Sequence, residues 1–136
     1  MKILTPAGLV VLAALLLSGC AGTIDSAALA PRLAALNERP VLVDVRTVSE
    51  YQGGHLPGAV NVPVHALPFR MGDVPVSDRG GPVVVYCAHG PRAGLAGFFL
   101  RVAGFSQVMH LQGDIRSWLA AGYPLTIGPE PGVFVR

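Results

Sequence analysis

Pro82-Val83-Val84-Val85-Tyr86-Cys87-Ala88-His89-Gly90-Pro91-Arg92 is the stretch on which the fold turns. Its first five residues form a short, β-branched apolar run, the composition of a strand buried on both faces of a parallel sheet. Gly90 lets the chain curl, and Pro91 suits the first position of a helix, where its missing N–H costs nothing. Leu95, Phe98, Phe99 and Val102 then recur at helical spacing, predicting a helix over Pro91–Ala103 that Gly104 ends. A strand, a tight loop and a helix follow one another without slack.

The same punctuation extends in both directions. Upstream, Leu29, Leu33 and Leu36 share one helical face over Ser26–Asn37, with Ser26 as a candidate N-cap. Pro31 requires either a late helix start or a kink. Pro40-Val41-Leu42-Val43-Asp44-Val45 is predicted as a buried parallel strand. Val48 and Tyr51 before Gly53-Gly54 suggest one or two helical turns, and Gly58–Pro63 a further short strand. Residues 64–81 are rich in Pro, Gly and Asp, with a short helix near Val64–Met71. Downstream come a strand at Val108–Leu111 and a helix over Asp114–Ala121, stopped by Gly122 and Pro124. Strands alternating with short helices imply an α/β fold: a mainly parallel central sheet flanked by short helices. The expected domain is 26–126, with coil over 127–136.

Composition narrows the function. The chain has 136 residues, 51% hydrophobic and 13% charged, with a net charge of +2. That is one domain's worth of chain, with apolar content that argues against long disorder. The cations are scattered and form no basic patch, so a nucleic-acid partner is not expected. The four His are separated and show no metal-ligand spacing.

The first residues read as an export signal. Met1-Lys2 precedes an almost wholly apolar run from Leu4 to Leu17, shorter than the about 20 residues a bilayer span needs. It closes on Leu17-Ser18-Gly19-Cys20, which resembles a bacterial lipobox. That resemblance implies a signal peptide over 1–19, a lipid on Cys20 and a short tether over 20–25. The domain would then be held to a membrane by acyl chains, each buried CH₂ contributing about 0.8 kcal/mol. The expected location is the cell envelope, facing the periplasm or, in a single-membraned host, the outer face of the cytoplasmic membrane.

There are two cysteines, Cys20 and Cys87. If Cys20 carries lipid, Cys87 is an unpaired thiol on an exported protein, where idle thiols are readily oxidised. In open α/β sheets ligands bind beyond the carboxyl ends of strands, beside helix N-termini. Cys87 falls at such a place, where loop N–H groups and the helix dipole favour thiolate over thiol. Arg92 brings a permanent cation toward an anionic substrate.

From Ile24 to Thr126 the chain resembles the rhodanese domain of sulfurtransferases. Four stretches carry the likeness: Val41–Arg46; Glu50-Tyr51 with Gly54-His55-Leu56-Pro57-Gly58-Ala59 and Asn61-Val62-Pro63; Cys87–Arg92; and Leu111-Gln112-Gly113-Asp114 with Trp118 and Gly122-Tyr123-Pro124. The resemblance implies transfer of a sulfane sulfur, from a small anionic donor such as thiosulfate to a thiol or cyanide, through a persulfide on catalytic Cys87. No cofactor is required. Ala88, His89, Gly90, Pro91 and Arg92 would contact the substrate, with Asp44, Arg46 and His55 as structural support. The alternative is a non-catalytic binding or persulfide-carrier module of the same fold. Phosphatases of related fold have one more residue between Cys and Arg, so the shorter loop favours sulfur. The departure from the family pattern is Asp114, where a second Gly is usual.

Overall fold

Five short segments rich in β-branched residues pair into one parallel sheet. In the computed structural model, which describes residues 22–130, these are β1 (Gly22–Ile24), β2 (Val41–Asp44), β3 (Val60–Asn61), β4 (Pro82–Tyr86) and β5 (Gln107–Leu111), in the order β1-β5-β4-β2-β3. Every pairing is parallel. β4 is the central strand, and its alternation sorts the two cores. Val83 and Val85 face one layer with Leu100 and Val108. Val84 and Tyr86 face the other, with Leu29, Leu111 and Trp118. Val83 to Tyr86 are all fully buried, and each such side chain contributes about 1.5–3 kcal/mol relative to exposure.

Among the described residues, four helices cover the sheet: α1 (Ser26–Ala34), α2 (Val48–Gln52), α3 (Pro91–Val102) and α4 (Asp114–Ala120). None of them is long and apolar enough to cross a membrane. The α/β class is as expected, with differences of detail. The N-cap of α1 is Asp25, whose carboxylate accepts the Ala28 N–H at 2.7 Å, and Ser26 is the first helical residue. Pro31 lies inside α1, which ends at Ala34, so Leu36 falls beyond it and is exposed. Residues 22–24, expected within a tether, form β1 and extend the sheet beside β5. The strand expected over Gly58–Pro63 shrinks to Val60–Asn61, and the helix near Val64–Met71 becomes two single turns of 3₁₀ helix at Leu67–Phe69 and Met71–Asp73.

Helix α3 forms where the spacing predicts it, and a stripe of mostly small residues is its buried face. Ala93, Ala96, Gly97 and Leu100, at the i, i+3, i+4, i+7 positions, face the sheet. Leu95, Phe98 and Val102 point outward. A Cβ on Gly97 would sit 3.9 Å from Val108 Cγ1, so small residues on this stripe let the helix lie close against β5. The segment after Thr126 is not free coil throughout: Gly128 N–H donates to Gln52 O at 2.8 Å, and the Glu130 carboxylate accepts from Gly58 N–H and pairs with His55. Cys20 and the expected signal segment lie outside the described residues.

Candidate active site

The site forms at the carboxyl end of the central strand. Tyr86 ends β4, Cys87 follows, and Gly90 with φ +124° turns the chain into α3 with Pro91 in its first turn. This conformation is open to glycine and strained for residues with a Cβ. It aims the Gly90 N–H at Cys87 Sγ, at 3.0 Å. Cys87 is a free cysteine and only 1% exposed, with its own N–H donated to Asp114 Oδ1 at 2.9 Å and its carbonyl accepting from Ile115 N–H. The sulfur thus lies at the floor of the loop and receives one amide at hydrogen-bond distance, rather than the converging set that the loop sequence suggested. Ala88 and Gly90 are half-buried, and His89 and Pro91 are exposed on the rim.

Arg92 does not extend freely toward a substrate. Its Nη1 and Nη2 donate to Glu50 Oε2 and Oε1 at 2.7 and 2.9 Å, a two-pronged pair that ties α3 to α2. The hydrogen bonds to Glu50 raise the Arg92 pKa, and the same contact leads the depression of the Glu50 carboxyl to about 2. Glu50 also closes a capping box: its N–H donates to Thr47 Oγ1 and its carboxylate accepts the Thr47 N–H. Sequence reading assigned Glu50 no role, although Thr47-x-x-Glu50 before Tyr51 carries the signature of such a box.

Asp44, Arg46 and His55 lie in the segments before and after α2. Asp44 is fully buried at the end of β2 and grips Arg46 through contacts of 2.6 to 3.1 Å, while Arg46 Nη2 also donates to Gly54 O at 2.7 Å. Burial opposes the charge on Arg46, but its bonds to Asp44 prevail and raise its pKa. His55 is buried against Tyr51, with rings stacked at 3.7 Å, and its Nδ1 lies 2.9 Å from the Tyr51 carbonyl. Asp44 and Arg46 therefore tie the end of β2 to Gly54, and His55 packs on α2. Tyr86 Oη adds to this frame by accepting the Leu56 N–H at 3.1 Å. Among the described residues, no three His, Cys, Asp or Glu side chains gather as metal ligands would.

The chain that builds this site matches known proteins. The Rhodanese-like domain family matches residues 29–121. This chain belongs to that family. It is 40% identical over 107 residues to a sulfurtransferase of Allochromatium vinosum, covering 79% of this chain and 95% of the relative. It is 35% identical over 91 residues to the thiosulfate sulfurtransferase GlpE of Pseudomonas savastanoi pv. phaseolicola, covering 66% and 82%. The crystal structure of the Alr3790 protein from Anabaena superimposes with a TM-score of 0.69 at 31% identity, over 76% of this chain and 81% of that one. Within this rhodanese-like domain, Asp114 is the site neighbour that the sequence marked as unusual, and it bonds the Cys87 backbone directly.

Proposed function

We propose that the protein is a rhodanese-type sulfurtransferase with Cys87 as nucleophile and sulfur carrier. In the first half-reaction the Cys87 thiolate attacks the outer sulfur of a donor such as thiosulfate. The Sγ–S bond forms, the donor's S–S bond breaks, and sulfite leaves with the electron pair. In the second, a thiol or cyanide attacks the outer persulfide sulfur and the thiolate is regenerated, a ping-pong sequence. The observation that carries this reading is the Gly90 N–H donated to Sγ at 3.0 Å, a preorganised dipole where negative charge resides before and after transfer. With Cys87 1% exposed, a donor reaches Sγ end-on, through a terminal sulfur, past Ala88, His89 and Pro91. Arg92, held by Glu50, fixes the loop's far end.

The four residues between Cys87 and Arg92 also support sulfur over phosphate, since a lone sulfur atom needs less room than a tetrahedral oxyanion. The test is intact mass after incubation with a sulfane donor. One added sulfur atom is expected on the unsubstituted protein and none on Cys87→Ser, with loss of thiosulfate:cyanide turnover. Equal slow turnover by both proteins would refute the reading. In the same reading, Cys20 carries the lipid that anchors the domain to the envelope membrane, facing the periplasm or the outer face of a single membrane. Acyl mass that persists on Cys20→Ser would refute that part alone.

A further inference from the structure

Asp114 is an acidic side chain in a position that disfavours one. Its φ of +56° makes it the only non-glycine residue with positive φ among the described residues, directly after Gly113 at +76°. Aspartate tolerates this conformation better than most residues, but glycine adopts it without strain. The residue is also 2% exposed, and a buried charge is costly unless it is paired. Its two partners converge on one oxygen: Oδ1 accepts the Cys87 N–H at 2.9 Å and lies 2.8 Å from His110 Nε2.

The other oxygen, Oδ2, makes no hydrogen bond with the described residues. A Cβ on Gly90 would lie 3.8 Å from it, which places Oδ2 against the loop that holds Cys87. Burial opposes ionisation, but the bonds from His110 and from Cys87 N–H prevail and lower the carboxyl pKa. The loop's own cation, Arg92, is already held by both oxygens of Glu50. An anion entering this mouth therefore meets a carboxylate edge and a guanidinium whose charge is largely answered.

Resting on the persulfide reading above, we propose that Asp114 is a specificity-determining residue. It sets the loop against doubly charged donors such as thiosulfate and in favour of a thiol persulfide whose carrier bears a cationic group. With such a donor, Cys87 thiolate attacks the outer sulfur of R–S–SH. The Sγ–S bond forms, the donor's S–S bond breaks, and R–S⁻ leaves with the pair, so no outside oxidant or reductant is needed.

The experiment compares rates of sulfur loading on Cys87, by intact mass, from thiosulfate and from cysteamine persulfide, whose ammonium makes it cationic as R–S–SH. Asp114→Asn keeps an acceptor for Cys87 N–H and removes only the charge. It is expected to raise the thiosulfate-to-persulfide rate ratio about tenfold, equivalent to ~1.4 kcal/mol of relieved repulsion. Asp114→Gly also relieves the positive φ, and should move the ratio the same way if the Asn protein folds poorly. A ratio within twofold of the unsubstituted protein in both variants overturns the proposal. So does a shift in Asp114→Gly without one in a folded Asp114→Asn, which would make the effect one of backbone rather than charge. If neither donor loads Cys87 in the unsubstituted protein, the sulfurtransferase reading itself falls, a result distinct from an unchanged ratio.

Discussion

Replacing Arg46 by methionine leaves the Asp44 carboxylate, 0% exposed, without its cation. Three of the hydrogen bonds that Asp44 accepts come from that guanidinium, and the Arg46 main-chain N–H supplies a further one at 2.9 Å. The Gly54 carbonyl loses its 2.7 Å donor as well. Breaking a buried pair by removing one partner typically costs about 3–5 kcal/mol, because an uncompensated charge stays in the interior. For a domain of this size that lowers the melting temperature by about 12–25 °C. The magnitude belongs to the orphaned charge more than to the lost contacts, and that is testable. Adding Asp44→Asn to Arg46→Met keeps an acceptor for the main-chain N–H but removes the charge, so the double variant should be more stable than Arg46→Met alone. Thermal and urea unfolding of the three proteins measures both quantities. A cost below about 1 kcal/mol for Arg46→Met would place the pair with exposed salt bridges and refute the reasoning. A double variant less stable than the single would refute it too.

Gly113→Ala should destabilise by about 2–5 kcal/mol, since a Cβ at φ +76° would sit 2.7 Å from Ser117 Cβ; urea unfolding checks it, and a neutral outcome would mean the turn is not held as described. Tyr86→Phe removes the acceptor of the buried Leu56 N–H at 3.1 Å and should cost about 1–3 kcal/mol, read as a shifted urea midpoint at unchanged slope. Glu50→Gln tests the loop clamp through pH. The Glu50 carboxyl is depressed from 4.5 to about 2, so its contribution is full above pH 4.5 and is lost as pH falls toward 2. Because its side chain is 36% exposed, the advantage over Glu50→Gln at neutral pH should be no more than about 1 kcal/mol, shrinking over that interval. A gap that stays constant from pH 7 to pH 2 would contradict the Arg92 pairing.

What was legible in the sequence divides along a physical line. β4 could be read residue for residue because burial on both faces leaves an unbroken apolar run, a local signature. Pro91 and Gly90 marked the start of α3 because backbone chemistry acts within a residue or two. β1 could not be read. Gly22-Thr23-Ile24 is a strand only because β5 offers it a parallel edge, and no local pattern encodes that. The helix α3 was legible but its buried face was not, because periodicity finds the apolar residues, whereas the sheet selects the stripe small enough to approach it.

The site follows the same division, and it shows where the chemistry is decided. Cys87 and its loop were legible, being contiguous. The direction of Arg92 was not, because its partner Glu50 lies 42 residues earlier on another helix. Asp114 was legible as an oddity, but its contact with Cys87 exists only because β4 and β5 are neighbours, with Val85 opposite His110. Each misread or unread charge thus finds its partner across the carboxyl edge of the sheet, where loops from different strands meet. The nucleophile comes from one strand's sequence, and the field around it from what the neighbouring strands and helices bring alongside. For that reason donor preference should respond to Asp114, on the adjacent strand–helix turn, as well as to the loop that carries the sulfur.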